Sequence, residues 1–181
     1  MKAKTKREDE EIFLELIKKK AISRLNDLEK NNYIKFFDNT YLDNLNAARY
    51  NLDKFPRWSI IAGYYAMHDI AKLFLAKKYG LKINSRVHFA CIVSLSFLLN
   101  RDKQEFIKAV EFLKKAQNIF DENVLGIKID ELVQYLKKGK SERGKVQYYN
   151  PKIDKNVSEK ANYFLDNISI PFIKLMENLL I

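Results

Sequence analysis

Apolar residues recur every three to four positions through most of this chain, the period of a helix with one buried face. The longest such run is Pro56–Gly80. There Ile60, Tyr64, Met67, Ala71 and Phe74 form one stripe, and Trp58, Ile61, Tyr65 and Leu73 form a neighbouring one. Proline suits the first turn of a helix and glycine the position just past its end. A helix apolar around most of its circumference sits inside a bundle or spans a membrane. Asp69 and Lys72 near its middle, with a tryptophan and two tyrosines, favour the bundle. Pro56–Gly80 therefore reads as the central core helix.

Upstream, Leu14, Ile17, Ala21, Leu25 and Leu28 predict an amphipathic helix over residues 11–29. Residues 31–40, NNYIKFFDNT, read as a connection, with Asp38, Asn39 and Thr40 as available caps. Tyr41, Leu45, Ala48 and Leu52 predict a short helix reaching Asp53. The brief turn before Pro56 makes it antiparallel to the central helix. Downstream, Val87, Cys91, Leu95 and Leu98 mark a helix with Ser85 as its cap, and Phe106, Val110 and Leu113 mark another after Asp102. A loop is expected from Asn118 to Lys128, then a helix from Asp130 with Leu132, Leu136 and Val146 facing inward. Asn156 and Glu159 form a relaxed capping box for the last helix. That helix carries Ala161, Leu165 and Ile168, and Pro171 kinks or restarts it ahead of Leu175 and Leu179. The expected fold is all-α, a single-domain antiparallel bundle of about five to six helices. Residues 1–37 form an added N-terminal helix and connection, and residues 38–181 the bundle proper.

Composition agrees. A chain of 181 residues with 5 Gly and 3 Pro has little material for the turns of an all-β fold. At 47% hydrophobic and 31% charged it has the balance of a folded soluble domain. The single cysteine, Cys91, cannot form an internal disulfide and fits a reducing compartment. No apolar stretch of signal-peptide length follows the charged start, so a cytoplasmic protein without a membrane segment is expected. The net charge of +10 attracts phosphates at long range, although lysines also keep helical surfaces soluble.

Several chemistries lack their motifs. There is no phosphate-loop GxxxxGK[ST], no GxGxxG turn, no CxxC pair and no nucleophile elbow. No cofactor and no metal are expected. His68 and His88 are the only histidines. A His68–Asp69 pair could meet a metal, but a core histidine with satisfied hydrogen bonds is the simpler reading.

Arg143 falls on the inward stripe of its helix, seven residues after Leu136 and three before Val146. A guanidinium there needs a carboxylate such as Asp69, a phosphate or carbonyls, unless its stem carries it to the surface. Lys137, Lys138, Lys140, Arg143 and Lys145 place five cations within nine residues, opposed by Glu142 alone and flanked by Tyr135, Tyr148 and Tyr149. Cations interleaved with aromatics can hold backbone phosphates while rings stack on bases, or can simply be a solvated face beside core tyrosines.

Two segments carry a family resemblance. Gly63-Tyr64-Tyr65-Ala66-Met67, followed by Gly80-Leu81 and His88, and then Arg143-Gly144-Lys145-Val146-Gln147-Tyr148-Tyr149, resemble in order and spacing the HEPN superfamily. These are small helical bundles with a YYAM-type core helix and a late arginine motif; the likeness covers residues 38 to 180. In HEPN ribonucleases the arginine holds the scissile phosphate and a histidine a few residues on handles the 2′-hydroxyl proton. The resemblance places Arg143 and Tyr148 in those catalytic positions, with Tyr64, Tyr65, Asp69 and His88 supporting; Asp69 stands where the family has a histidine. On an ideal helix Tyr148 lies about 140° from Arg143. A phenol of pKa near 10 is also a poor base at neutral pH. The expectation is a protein that binds RNA or nucleotide phosphates through Lys137, Lys138, Lys140, Arg143, Lys145 and Tyr149, toxin–antitoxin-like and degenerate as a ribonuclease. Its alternatives are an active metal-independent endoribonuclease and a non-enzymatic interaction module. The resemblance also implies a homodimer and a minimal nucleotidyltransferase as partner. In such pairs a late tyrosine is adenylylated; that position is Asn150 here, with Tyr148 and Tyr149 beside it.

Overall fold

Pro56 opens and Gly80 closes the helix against which the other elements pack. In chain order the elements are α1 (Lys6–Lys18), β1 (Ile22–Arg24), α2 (Asp27–Asn51), α3 (Pro56–Tyr79), β2 (Leu81–Ile83), α4 (Val87–Leu99), α5 (Gln104–Phe120), α6 (Val157–Phe164) and α7 (Ile170–Leu180). The last two are continuous through a π-helical turn at Leu165–Ser169. This computed structural model describes residues 6–99, 104–120 and 157–181, and they form an all-α bundle with one small two-stranded ribbon. No helix among the described residues is long and apolar enough to cross a membrane.

The boundaries of α3 follow from its two punctuating residues. Pro56 occupies the first turn, and Gly80 takes the left-handed cap conformation at φ 63°, its N–H reaching back to the Ala76 and Leu75 carbonyls. The stripe Ile60, Tyr64, Met67, Ala71 and Phe74 is fully buried, as the periodicity implies. The second stripe divides: Leu73 is buried, whereas Trp58 is 61% and Tyr65 42% exposed.

Helices α2 and α3 lie antiparallel along each other. Asp38 pairs with Lys77 at 3.7 Å, Asn44 bonds Asp69, and the space beside Gly63 is bounded by Ala48, so rising numbers on α2 meet falling numbers on α3. At Gly63 an added Cβ would lie 3.0 Å from Phe164 Cε1 and 3.3 Å from Ser169 Oγ. Glycine is what lets the π turn approach; the Ser169 hydroxyl donates to the Gly63 carbonyl at 3.1 Å. Pro171 accounts for that wide turn, because its ring opposes the carbonyl four residues back and it has no N–H to give. The Ile170 N–H bonds Leu165 instead.

Three local expectations are corrected. The residues NNYIKFFDNT are helical, inside α2, because Tyr33, Phe37 and Tyr41 recur at helical spacing and face the core. The cap of that helix is Asn26, whose side chain accepts the Glu29 N–H at 2.8 Å. The first helix ends at Lys18 and buries Phe13 and Leu16, leaving Leu14 and Ile17 exposed and Leu28 93% exposed. Lys20, at φ 56°, turns the chain into β1, which pairs antiparallel with β2 (Ile22 opposite Ile83). Finally, α5 runs to Phe120, past the expected loop start at Asn118. The division at 37/38 falls within α2, and α1 packs on α4 through stacked Phe13 and Phe97 rings 4.7 Å apart. Asp102, Asn156 and the helix expected from Asp130 lie outside the described residues.

Candidate functional site

Of the residues singled out from sequence, Tyr64, Tyr65, Asp69 and His88 are described. Lys137, Lys138, Lys140, Arg143, Lys145, Tyr148 and Tyr149 lie outside the described residues. The four that are visible divide among three environments, each set by its angle around α3.

Tyr64 and His68, one turn apart, point inward and meet His88 of α4 and Phe120 of α5. The Tyr64 ring stacks on His88 at 5.0 Å and on Phe120 at 4.4 Å, and the His68 ring stands edge-on to both Tyr64 and His88 at 4.6 Å. His68 is completely buried, and neither of its ring nitrogens has a hydrogen-bond partner among the described residues; nor has Nδ1 of His88. This corrects the expectation of a core histidine with satisfied hydrogen bonds. Burial holds His68 well below the usual imidazole value, with the neighbouring His88 and Lys72 charges adding to the effect. Burial, then Lys72, lowers His88 as well. Both rings are therefore neutral at pH 7.

Asp69 faces α2. Its carboxylate accepts from Asn44 Nδ2 at 2.9 Å and from Lys72 Nζ at 3.1 Å, and the same ammonium sits 4.6 Å over the Phe37 ring. A nearly buried pair of this kind is satisfied internally. No group of three or more histidine, cysteine, aspartate or glutamate side chains able to hold a metal occurs among the described residues.

Tyr65 faces out. It forms one end of an open groove of about 580 Å³ between the second half of α2 and the first half of α3, lined by Asn44, Asn51, Phe55, Trp58, Ile61 and Tyr65. Phe55 and Trp58 are both more than half exposed, and Tyr50 close by is 72% exposed. Exposed Arg49, Lys54 and Arg57 surround this corner, opposed by Asp53 alone. None of the three cations forms an ion pair among the described residues, and Lys54 lies 5.5 Å over the Tyr50 ring. Clustered exposed aromatics mark a surface that binds something. The groove was missed from sequence, yet its signal is the one read farther along the chain: Arg49, Tyr50, Lys54, Phe55, Arg57 and Trp58 interleave cations and rings within ten residues.

No protein-family model, curated protein or solved structure matches the chain.

Proposed function

We propose that this chain is a HEPN-like helical protein that binds single-stranded RNA or nucleotide phosphates without cutting them. The observation that carries the reading is the α2–α3 groove, where Phe55, Trp58 and Tyr65 stand in solvent, in a stretch of chain that also exposes Lys54 and Arg57, neither of which forms an ion pair among the described residues. Rings at solvent with free guanidinium groups suit bases and phosphates together. The net charge of +10 adds long-range attraction. Catalysis is not assigned to the described histidines: both are neutral and pack beside Tyr64, and neither lines the groove. A homodimer and a minimal nucleotidyltransferase partner rest on the family resemblance alone.

Aromatic and arginine side chains also suit protein interfaces, so the test must separate the two occupants. Fluorescence anisotropy of a labelled single-stranded RNA, in chelator and across a salt series, is the direct measurement. Wild type should bind with affinity falling steeply as salt rises. Trp58→Ala should lose roughly tenfold, the scale of one stacked base. Arg57→Ala should flatten the salt slope, and gels should show intact RNA. Absence of binding at low salt overturns the reading. A Trp58-dependent dimer in sedimentation, without RNA affinity, would reassign the groove to self-association.

A further inference from the structure

We infer, resting on that reading, that the α2–α3 groove takes the faces of unpaired bases and leaves the sugar–phosphate backbone outside. Its ligand class is then a single strand of either sugar, and neither a duplex nor a free phosphate. The lining carries the inference. Phe55, Trp58 and Tyr65 supply rings, Ile61 and two alanines supply aliphatic wall, and Asn44 and Asn51 supply amides. No charged side chain lines the groove among the described residues. Lys54 and Arg57 precede Phe55 and Trp58 in the chain but take no part in the lining, and Lys54 stands over the Tyr50 ring. A phosphate brought into such a lining would shed water and meet no cation. A base face sheds little water there and gains a ring to stack on.

Ring spacing excludes the stacked duplex. Trp58 and Tyr65 are seven residues apart on α3, two turns or roughly 10 Å along the axis. Neighbouring bases in a helical stack lie only about 3.4 Å apart, with their faces closed against each other. Rings at the wider spacing serve bases that have left the stack. Recognition by faces is tolerant of sequence and asks nothing of the 2′-hydroxyl. The net charge of +10 favours a polyanion as occupant over a second copy of this chain, which would bring the same excess.

Trp58 is the only tryptophan in the chain, so its fluorescence reports from the groove itself. The test titrates the protein with ten-nucleotide single strands of RNA and DNA, a fully abasic strand of equal length, and the DNA annealed to its complement. Anisotropy of labelled strands reads binding, and Trp58 emission with unlabelled strands reads occupancy of the groove. Both single strands should bind alike and quench Trp58 equally. The duplex and the abasic strand should leave its emission unchanged and bind roughly tenfold more weakly, the scale of one stacked base. Trp58→Tyr, which keeps a ring, should retain the affinity for single strands. Tyr65→Ala should lower it about tenfold without changing its salt dependence. Equal quenching by the duplex or the abasic strand would overturn the inference, and so would a strong preference for RNA over DNA. Single strands that bind while Trp58 stays bright would overturn base insertion and leave RNA binding standing. Absence of binding to any single strand at low salt would remove both readings.

Discussion

Both ring nitrogens of His68 are buried against the rings of Tyr64 and His88 and have no hydrogen-bond partner among the described residues, and that sets a measurable pH dependence. The folded chain disfavours the imidazolium, while the unfolded chain takes up its proton near the usual value of 6.5. Stability from this group is therefore complete above about pH 6.5 and is lost as the pH falls toward the depressed folded value. Urea midpoints measured from pH 7 down to 5 should decline. His68→Phe should flatten that decline, because it leaves a ring in place and removes both stranded nitrogens. At pH 7 it should cost nothing or add about 1 kcal/mol, since a buried unsatisfied polar group carries a penalty of that order. An unchanged slope in the variant would assign the acid sensitivity to other groups. The metal reading of His68 and Asp69 fails on direction: Asp69 turns to Asn44 and Lys72 on the α2 side, whereas His68 turns to the rings.

Among the elements, the closest approach is between α3 and the π turn at Gly63. Gly63→Ala gains helix propensity of nearly 1 kcal/mol. It also drives a methyl to within 3.0 Å of the Phe164 ring, which is fully buried and cannot swing away. Overpacking should win, with a net loss of about 1–2 kcal/mol in urea unfolding; a stabilised variant would show that the π turn can yield. How much of this was legible follows from which signals are local. The limits of α3 were readable because proline and glycine act within one turn. NNYIKFFDNT misled because its asparagines and aspartate favour turns, while the tertiary burial of Phe37 and Tyr41 that overrides them is not local. In α1 the phase of the stripe was mistaken, with Phe13 and Leu16 buried in place of Leu14 and Ile17. The groove was hidden for a similar reason. Period alone assigned Trp58 and Tyr65 to the core, and only the register of α2 against α3 leaves them at the surface.

At the scale of the whole molecule, the central helix supplies more buried residues than any other described element, and the corner where α2 turns into α3 leaves Tyr50, Phe55 and Trp58 exposed. One group deep in that interior records the cohesion of the assembly. Cys91 is the only thiol in the chain, it is fully enclosed, and burial pushes it up to about 12. Alkylating and disulfide reagents attack the thiolate, so at pH 8 the folded chain presents them with almost no target. Modification must wait for the bundle to open, and its rate becomes a stopwatch for that opening. Mass-spectrometric labelling in native buffer should proceed as slowly as the urea-derived stability implies, and should quicken in Gly63→Ala. A fast, complete reaction in native buffer would mean that the wall around Cys91 breathes on its own, without the rest of the bundle coming apart.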